Sequence, residues 1–238
     1  MLRKLLPTAA KIKFRLLRRA LRDLTTGAAF SFAQNATSTE SFPHAIELSQ
    51  AIKRTASTQA KINNLAIAIQ SIEPILVQPN EIFSFWKAVG DPSLKRGFVE
   101  SRSLINGELE PSIGGGLCQL AGLIYYVSLQ ANLDMVERSS HSADIYTEET
   151  RFTPLGSDAA VAYAYQDLRV VNSYDFPVKF TFSLTEDSIT IRLNSTQEIK
   201  SSKVEFESEH LPNNKVAVTT LVNGKAHTKS TYKKVVAS

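Results

Sequence analysis

The chain has a single cysteine, and its setting, Gly114-Gly115-Gly116-Leu117-Cys118-Gln119-Leu120, is the segment best placed to do chemistry. Consecutive glycines let the backbone approach a ligand closely and turn amide N–H groups toward it. A helix starting beside them adds partial positive charge, which favours the thiolate, the nucleophilic form of cysteine. Such a nucleophile needs a base, and His141 follows 23 positions later, at the start of the first strand expected after that helix. A carboxylate must then orient the imidazole. Asp167 would face His141 if residues 142–146 and 158–167 formed one simple hairpin centred near Pro154, with Asp158 then near Thr150. Asp158 is the better partner if the connection reorders the strands, and Asp144 lies three residues down the histidine's own strand.

Helix-borne cysteine, strand-borne histidine and then a carboxylate is the order used by papain-like peptidases and transglutaminases, an analogy of layout alone. Gly114, Gly115, Gly116 and Gln119 flank the thiol as ligand-binding candidates. Phe83, Phe85 and Trp86 offer flat apolar faces of the kind that bind a sugar or peptide. Arg138, paired with Glu137, would position the histidine loop and reach the ligand. The opposing reading is structural: Cys118 between Leu117 and Leu120 is a small buried hydrophobe, His141 satisfies a polar network, and the aromatics pack their own loop. His44, His210 and His227 read as surface residues. One cysteine excludes an intrachain disulfide and a multi-cysteine zinc site, and a Cys118–His141–Asp metal set lacks paired spacing, so neither metal nor cofactor is expected.

These residues need elements to hold them. Leu117, Leu120, Leu123, Ile124, Val127 and Leu129 space as a buried helix beginning where the glycines end. Before it, Val99 to Ile105 reads as a strand, and Asn106-Gly107 supplies a type I′ hairpin turn. Ile46 through Ile72 suggests one or two helices ending before Pro74, and Pro79 to Phe98 an irregular aromatic loop. After Asn132, residues 142–146, 158–164, 168–171, 178–184 and 189–193 read as short strands of an antiparallel meander. Val216, Val218 and Thr220, then Asn223-Gly224, add a final hairpin. Helices first and strands later predict an α+β domain, with N-terminal helices and the cysteine-bearing helix packed on a mainly antiparallel sheet. The segments are 1–40, basic and amphipathic; 41–196, the domain; and 197–238, a C-terminal hairpin or tail.

Of 238 residues, 43% are hydrophobic and 21% charged, which excludes disorder throughout. The net charge of +4 is concentrated at the amino terminus, where Arg3, Lys4, Lys11, Lys13, Arg15, Arg18, Arg19 and Arg22 all precede Asp23, the first acid. Leucines among them make an amphipathic helix rather than a spanning one. The same cations interrupt the apolar stretch of about 7–15 residues that an export signal needs. No cleaved signal is therefore expected, and the location is cytoplasmic, peripheral at the inner membrane face. Residues 1–24 either attach to an anionic leaflet or pack on their own domain. No nucleic-acid motif accompanies the charge, so no nucleic acid is expected as a partner.

Pro79-Asn80-Glu81-Ile82-Phe83-Ser84-Phe85, then Gly90, Gly97-Phe98, the Gly114–Leu120 segment, Glu137-Arg138 with His141, Asp158-Ala159, and Asp167-Leu168 with Asn172 resemble the VanW signature in its usual order, over roughly residues 60 to 195. Asn80 stands where that family commonly has glycine, a change Asn tolerates at positive φ. Ser139 stands where a bulky or ring side chain is frequent. The resemblance implies a bacterial envelope protein associated with glycopeptide-antibiotic resistance and names no reaction. Three functions compete: a cysteine-dependent acyl-transfer or amide-hydrolysing enzyme on a peptide or peptidoglycan precursor, its oxyanion held by amides near Gly115–Cys118; a non-catalytic binding module; and a scaffold recruited to membrane by residues 1–24.

Overall fold

The computed structural model describes residues 7–105, 108–146, 151 and 153–235. In chain order these build α1 (Thr8–Thr25), β1 (Gln34–Asn35), β2 (His44–Ala51), α2 (Thr58–Ile72), β3 (Ile75–Leu76), β4 (Ile82–Ser84), α3 (Phe85–Val89), β5 (Glu100–Ile105) and β6 (Glu108–Ile113). Then follow α4 (Leu117–Gln130), β7 (Asp134–Glu137), β8 (Ala143–Asp144), β9 (Arg169–Val171), β10 (Val178–Leu184), β11 (Ser188–Ser195), β12 (Val204–Leu211), β13 (Lys215–Val222) and β14 (Lys225–Lys234). The fold is α+β, and its strand pairs are antiparallel except for β14 with β8.

Helix α4 is apolar nearly all round, with Leu117, Leu120, Ala121, Leu123, Ile124, Val127 and Leu129 buried, which is the signature of a core helix. It lies with α2 against the sheet β10-β11-β2. Strand β11 alternates buried and half-buried residues, turning Ile189, Ile191 and Leu193 inward. Its register with β2 sets Leu193 beside Ile46 and Ile191 beside Leu48. Residues 46–51 are thus strand rather than the expected helix: apolar spacing of two fits a pleat, and only Thr58 onward winds into a helix.

The expected meander is also corrected. Residues 142–146 contribute only the two-residue β8, and 158–164 form no strand, so no hairpin centres on Pro154. Strand β9 pairs instead with β4 on one side and β7 on the other. Sequence periodicity had not marked β7. The β5–β6 hairpin is present, its Asn106-Gly107 turn lying outside the described residues, as do residues 1–6 and Thr150. At the C-terminus, β12, β13 and β14 form one sheet, with Asn223 and Gly224 at φ of 50° and 76° making the anticipated turn. Asn80 takes φ of 64°, the left-handed conformation that a glycine would adopt there without cost.

Helix α1 packs on its own domain. Asp23 is buried and receives both terminal nitrogens of Arg169, at 2.7 and 3.0 Å, while Arg19 forms a paired contact with Glu137 at 2.9 and 2.7 Å. Among the described residues no helix is long and apolar enough to cross a membrane.

Candidate active site

Helix α4 starts at a backbone cradle that only glycine can make. A Cβ on Gly115 would fall 2.5 Å from the Ser101 backbone, so any side chain would push the loop off β5. Asn64, fully buried on α2, fastens the same junction: its Nδ2 donates to the carbonyls of Gly115 and Val99, each at 3.0 Å, and its Oδ1 accepts the Val99 amide at 2.9 Å. Gly116, at φ of 102°, precedes the first turn. The Gly115, Leu117 and Gln119 amides donate to Ser112, Gly114 and Gly116 carbonyls. Those of Gly116 and Cys118 have no such backbone acceptor among the described residues.

Cys118 is half-buried at the floor of an open cavity of about 1230 Å³, whose lining also includes His141 and Asp158. Its sulfur accepts the Val161 amide at 3.5 Å and lies 3.6 Å from the Val161 carbonyl. His141 stands in the connection ahead of β8 and Asp158 in a loop, rather than on the strands expected for them. The two loops are tied where the Ala160 amide donates to Ser139 O at 2.7 Å. His141 Nδ1 is 2.6 Å from Asp158 Oδ2, which also accepts the His141 amide at 2.8 Å.

Burial disfavours charge on this ring, but the Asp158 hydrogen bond and the Cys118 side chain outweigh it and raise its pKa to about 10. Burial likewise works against the Asp158 carboxylate, and His141 and Arg138 overcome it, holding its pKa down to about 2. The pair is an imidazolium–carboxylate at neutral pH.

Asp158 is braced from behind. Its Oδ1 accepts from Tyr232 OH at 2.6 Å and Arg138 Nη2 at 3.1 Å. Arg138 also donates to the Asp158 and Gly156 carbonyls and to the Ser230 hydroxyl. Arg138, 5% exposed at its side chain, therefore positions the carboxylate and does not reach the cavity as a ligand-binding group, and it pairs with Asp158, not with Glu137. Glu137 instead holds Arg19. Tyr232 and Ser230 come from β14, so the C-terminal sheet supplies part of the brace. Alternation alone marked that strand as a hairpin arm and carried no sign of this role.

The other expected residues divide. Gly114, Gly116, Gln119 and Trp86 line the cavity. Phe83 and Phe85 do not: both are buried in the core, Phe83 edge-on to Phe180 at 5.1 Å, because β4 and α3 turn them away from the Trp86 face. Trp86 donates from its indole to Gln166 O at 2.7 Å and meets Tyr163 edge-on at 5.5 Å. Tyr126 of α4, Tyr163 and Tyr165 also line the cavity, an aromatic wall that the sequence pattern did not mark. Asp167 does not reach His141. Its Oδ1 accepts the Trp86 and Leu168 amides and its Oδ2 accepts from Ser84 and Arg169, a buried clamp between β4, β9 and α1. Asp144 is taken by Arg151 at 2.6 Å. Among the described residues no group of three or more His, Cys, Asp or Glu side chains is arranged to hold a metal ion.

A thiol, an imidazolium and a buried-end carboxylate, met in one solvent-open groove of an α+β domain, define the class of site. Residues 60–194 match the family described as VanW like protein, and the chain belongs to that family. It is 30% identical over 145 residues to the uncharacterized protein YoaR of Bacillus subtilis, covering 61% of this chain and 46% of the relative. It is also 30% identical over 129 residues to the vancomycin B-type resistance protein VanW of Enterococcus faecalis, covering 54% of this chain and 47% of that protein. The chain thus spans about half the length of the curated relatives it matches. No solved structure matches it.

Proposed function

We propose that this protein is a cysteine-dependent acyl-transfer or amide-hydrolysing enzyme acting on a peptide or peptidoglycan precursor. The observation that carries this reading is the convergence of Cys118, His141 and Asp158 on one cavity, with His141 held to Asp158 at 2.6 Å and its pKa raised by Asp158 and by the Cys118 side chain. Cys118 attacks the carbonyl carbon of an amide as the thiolate, its proton being the one carried by the His141 ring, and the oxyanion is held by the Gly116 and Cys118 amides. The His141 ring gives its proton to the departing amine nitrogen as the C–N bond breaks, leaving a thioester. Water, or an incoming amine in a transfer reaction, then attacks the thioester, passes a proton to the ring and expels the sulfur. Asp158 orients the ring throughout. The aromatic wall suits a ligand with flat or sugar-like faces, and the relative named for vancomycin resistance supports a cell-wall precursor as the substrate class.

Two measurements test it. Iodoacetamide should alkylate Cys118 at neutral pH at least about tenfold faster in the unsubstituted protein than in His141→Ala. Cys118→Ser, folded to the same melting temperature, should lose function in a resistance or envelope-integrity assay. Equal labelling rates, or full function in the Cys118→Ser protein, would leave a binding module in which Cys118 packs.

A further inference from the structure

The charges facing the cavity are unbalanced. Among the described residues, the two acids that line it are engaged, Asp144 by Arg151 and Asp158 by His141 and Arg138. Lys53, Lys61 and Arg102 line the same cavity with no ion-pair partner among the described residues, Lys53 and Arg102 exposed and Lys61 half-buried. The Lys61 methylenes lie over Gly116, where a Cβ would fall 2.7 Å from Lys61 Cγ, so the ammonium sits beside the helix start two residues from the thiol. Burial with no counter-charge pushes the Lys61 ammonium down to about 8. A half-buried cation with no counter-charge among the described residues is one that a ligand anion completes.

We propose that this end of the cavity is a peptide-carboxylate subsite, in which Lys61 takes a carboxylate of the ligand. It deepens the reading of Cys118 as a nucleophile, since it sets an acidic group of the substrate close to the bond attacked, with Lys53 and Arg102 drawing the anion in. Calorimetric titration of the Cys118→Ala protein at pH 6.5 with acetyl-Ala-Ala, carrying a free carboxylate, and with its carboxamide tests it without turnover. The carboxylate form should bind at least about tenfold more tightly, and Lys61→Met, checked for an unchanged melting temperature, should abolish that preference. Equal binding of the two peptides, binding of neither, or a preference that survives Lys61→Met overturns the subsite. The iodoacetamide comparison above bears on the nucleophile alone, so the two failures are separable.

Helix α1 presents a second surface. Its polar side faces the body: Asp23 lies on Arg169, Arg19 on Glu137, and the Arg15 guanidinium over the Tyr165 ring at 4.0 Å. Its apolar side faces out, with Phe14, Leu17, Leu21 and Leu24 exposed by 53%, 57%, 52% and 53%. On the helix surface Lys13 borders this stripe along one edge and Lys11 and Arg18 along the other, and the helix holds no acid besides the inward Asp23. An outward apolar stripe between two rows of cations is complementary to an anionic bilayer. We infer that α1 docks the protein on an anionic lipid surface. Co-sedimentation should show binding to vesicles of one part phosphatidylglycerol to three of phosphatidylcholine and not to phosphatidylcholine alone, and binding should be lost in a folded Leu17→Glu/Leu21→Glu variant. Absence of lipid-dependent binding overturns it, and so does a dimer in sedimentation velocity that this variant converts to monomer, because the stripe would then belong to a second copy.

Discussion

Asp158 and Asp167 are nine residues apart and almost equally saturated with donors, yet they anchor opposite kinds of region. The carboxylate of Asp158 is 25% exposed, opens onto the cavity, and takes a histidine among its partners. Asp167 is 2% exposed, does not line that cavity and is held by Arg169, Arg19, Ser84 and two amides. Arginine does not give up its proton in proteins, so the second cluster has one charge state and acts as a clamp between helix α1 and the sheet β4-β9-β7. The first contains groups that can exchange a proton where a substrate can reach them. Saturated hydrogen bonding therefore does not separate a site from a strut; a titratable partner in an open groove does.

The sharpest way to break this contrast is to remove one member of each. His141→Ala should lower activity by about 10²–10⁴-fold while leaving the melting temperature nearly unchanged. A comparable loss of stability would make His141 structural. Arg169→Met should do the reverse, costing about 3–5 kcal/mol in denaturant unfolding because Asp23 is left buried without its cation and Asp167 keeps only Arg19 at 3.4 Å, with the turnover of the folded fraction intact.

The pH dependence sharpens the comparison further. With its pKa raised from 6.5 to about 10, His141 contributes stability that is whole below 6.5 and lost as pH rises toward 10. Lys61, lowered from 10.5 to about 8, contributes with the opposite sign between those values, so the difference between the unsubstituted protein and His141→Gln isolates the histidine. That difference should shrink across pH 6.5 to 10 in thermal melts, and a flat difference would contradict the imidazolium–carboxylate pair. At the acid end, Asp158 contributes stability present above 3.8 and lost as pH falls through about 2. The smallest effect is expected for Tyr232→Phe, about 1 kcal/mol for one hydrogen bond, with a measurable loss of activity as Asp158 loses its brace. A stability loss with no kinetic change would assign Tyr232 to the clamp side of the comparison.

Much of this was legible in the chain. Gly114-Gly115-Gly116 beside a run of buried-helix spacing located α4 and its cysteine, since a helix face and a glycine cradle are both local properties. The α+β class and the Asn223-Gly224 turn were equally local. Ile46 to Ile52 misled because short apolar runs fit two periods, and the pairing of β2 with β11, from the far end of the domain, chose the strand. Phe83, Phe85 and Trp86 looked alike as a cluster, and only the facing of β4 and α3 sent two to the core and one to the cavity.

The sequence by itself narrowed which residues could act: one thiol, His141 after it, and Asp158, Asp167 or Asp144 to serve. The choice of Asp158 over Asp167 was made only in three dimensions. Hydrogen bonding between the Ser139 and Ala160 loops and the approach of β14 bring together groups up to 94 residues apart, with Tyr232 on Asp158 and beside Arg138. Long-range contact of that kind leaves no period in a sequence, because it depends on how completed elements pack rather than on how neighbouring residues alternate.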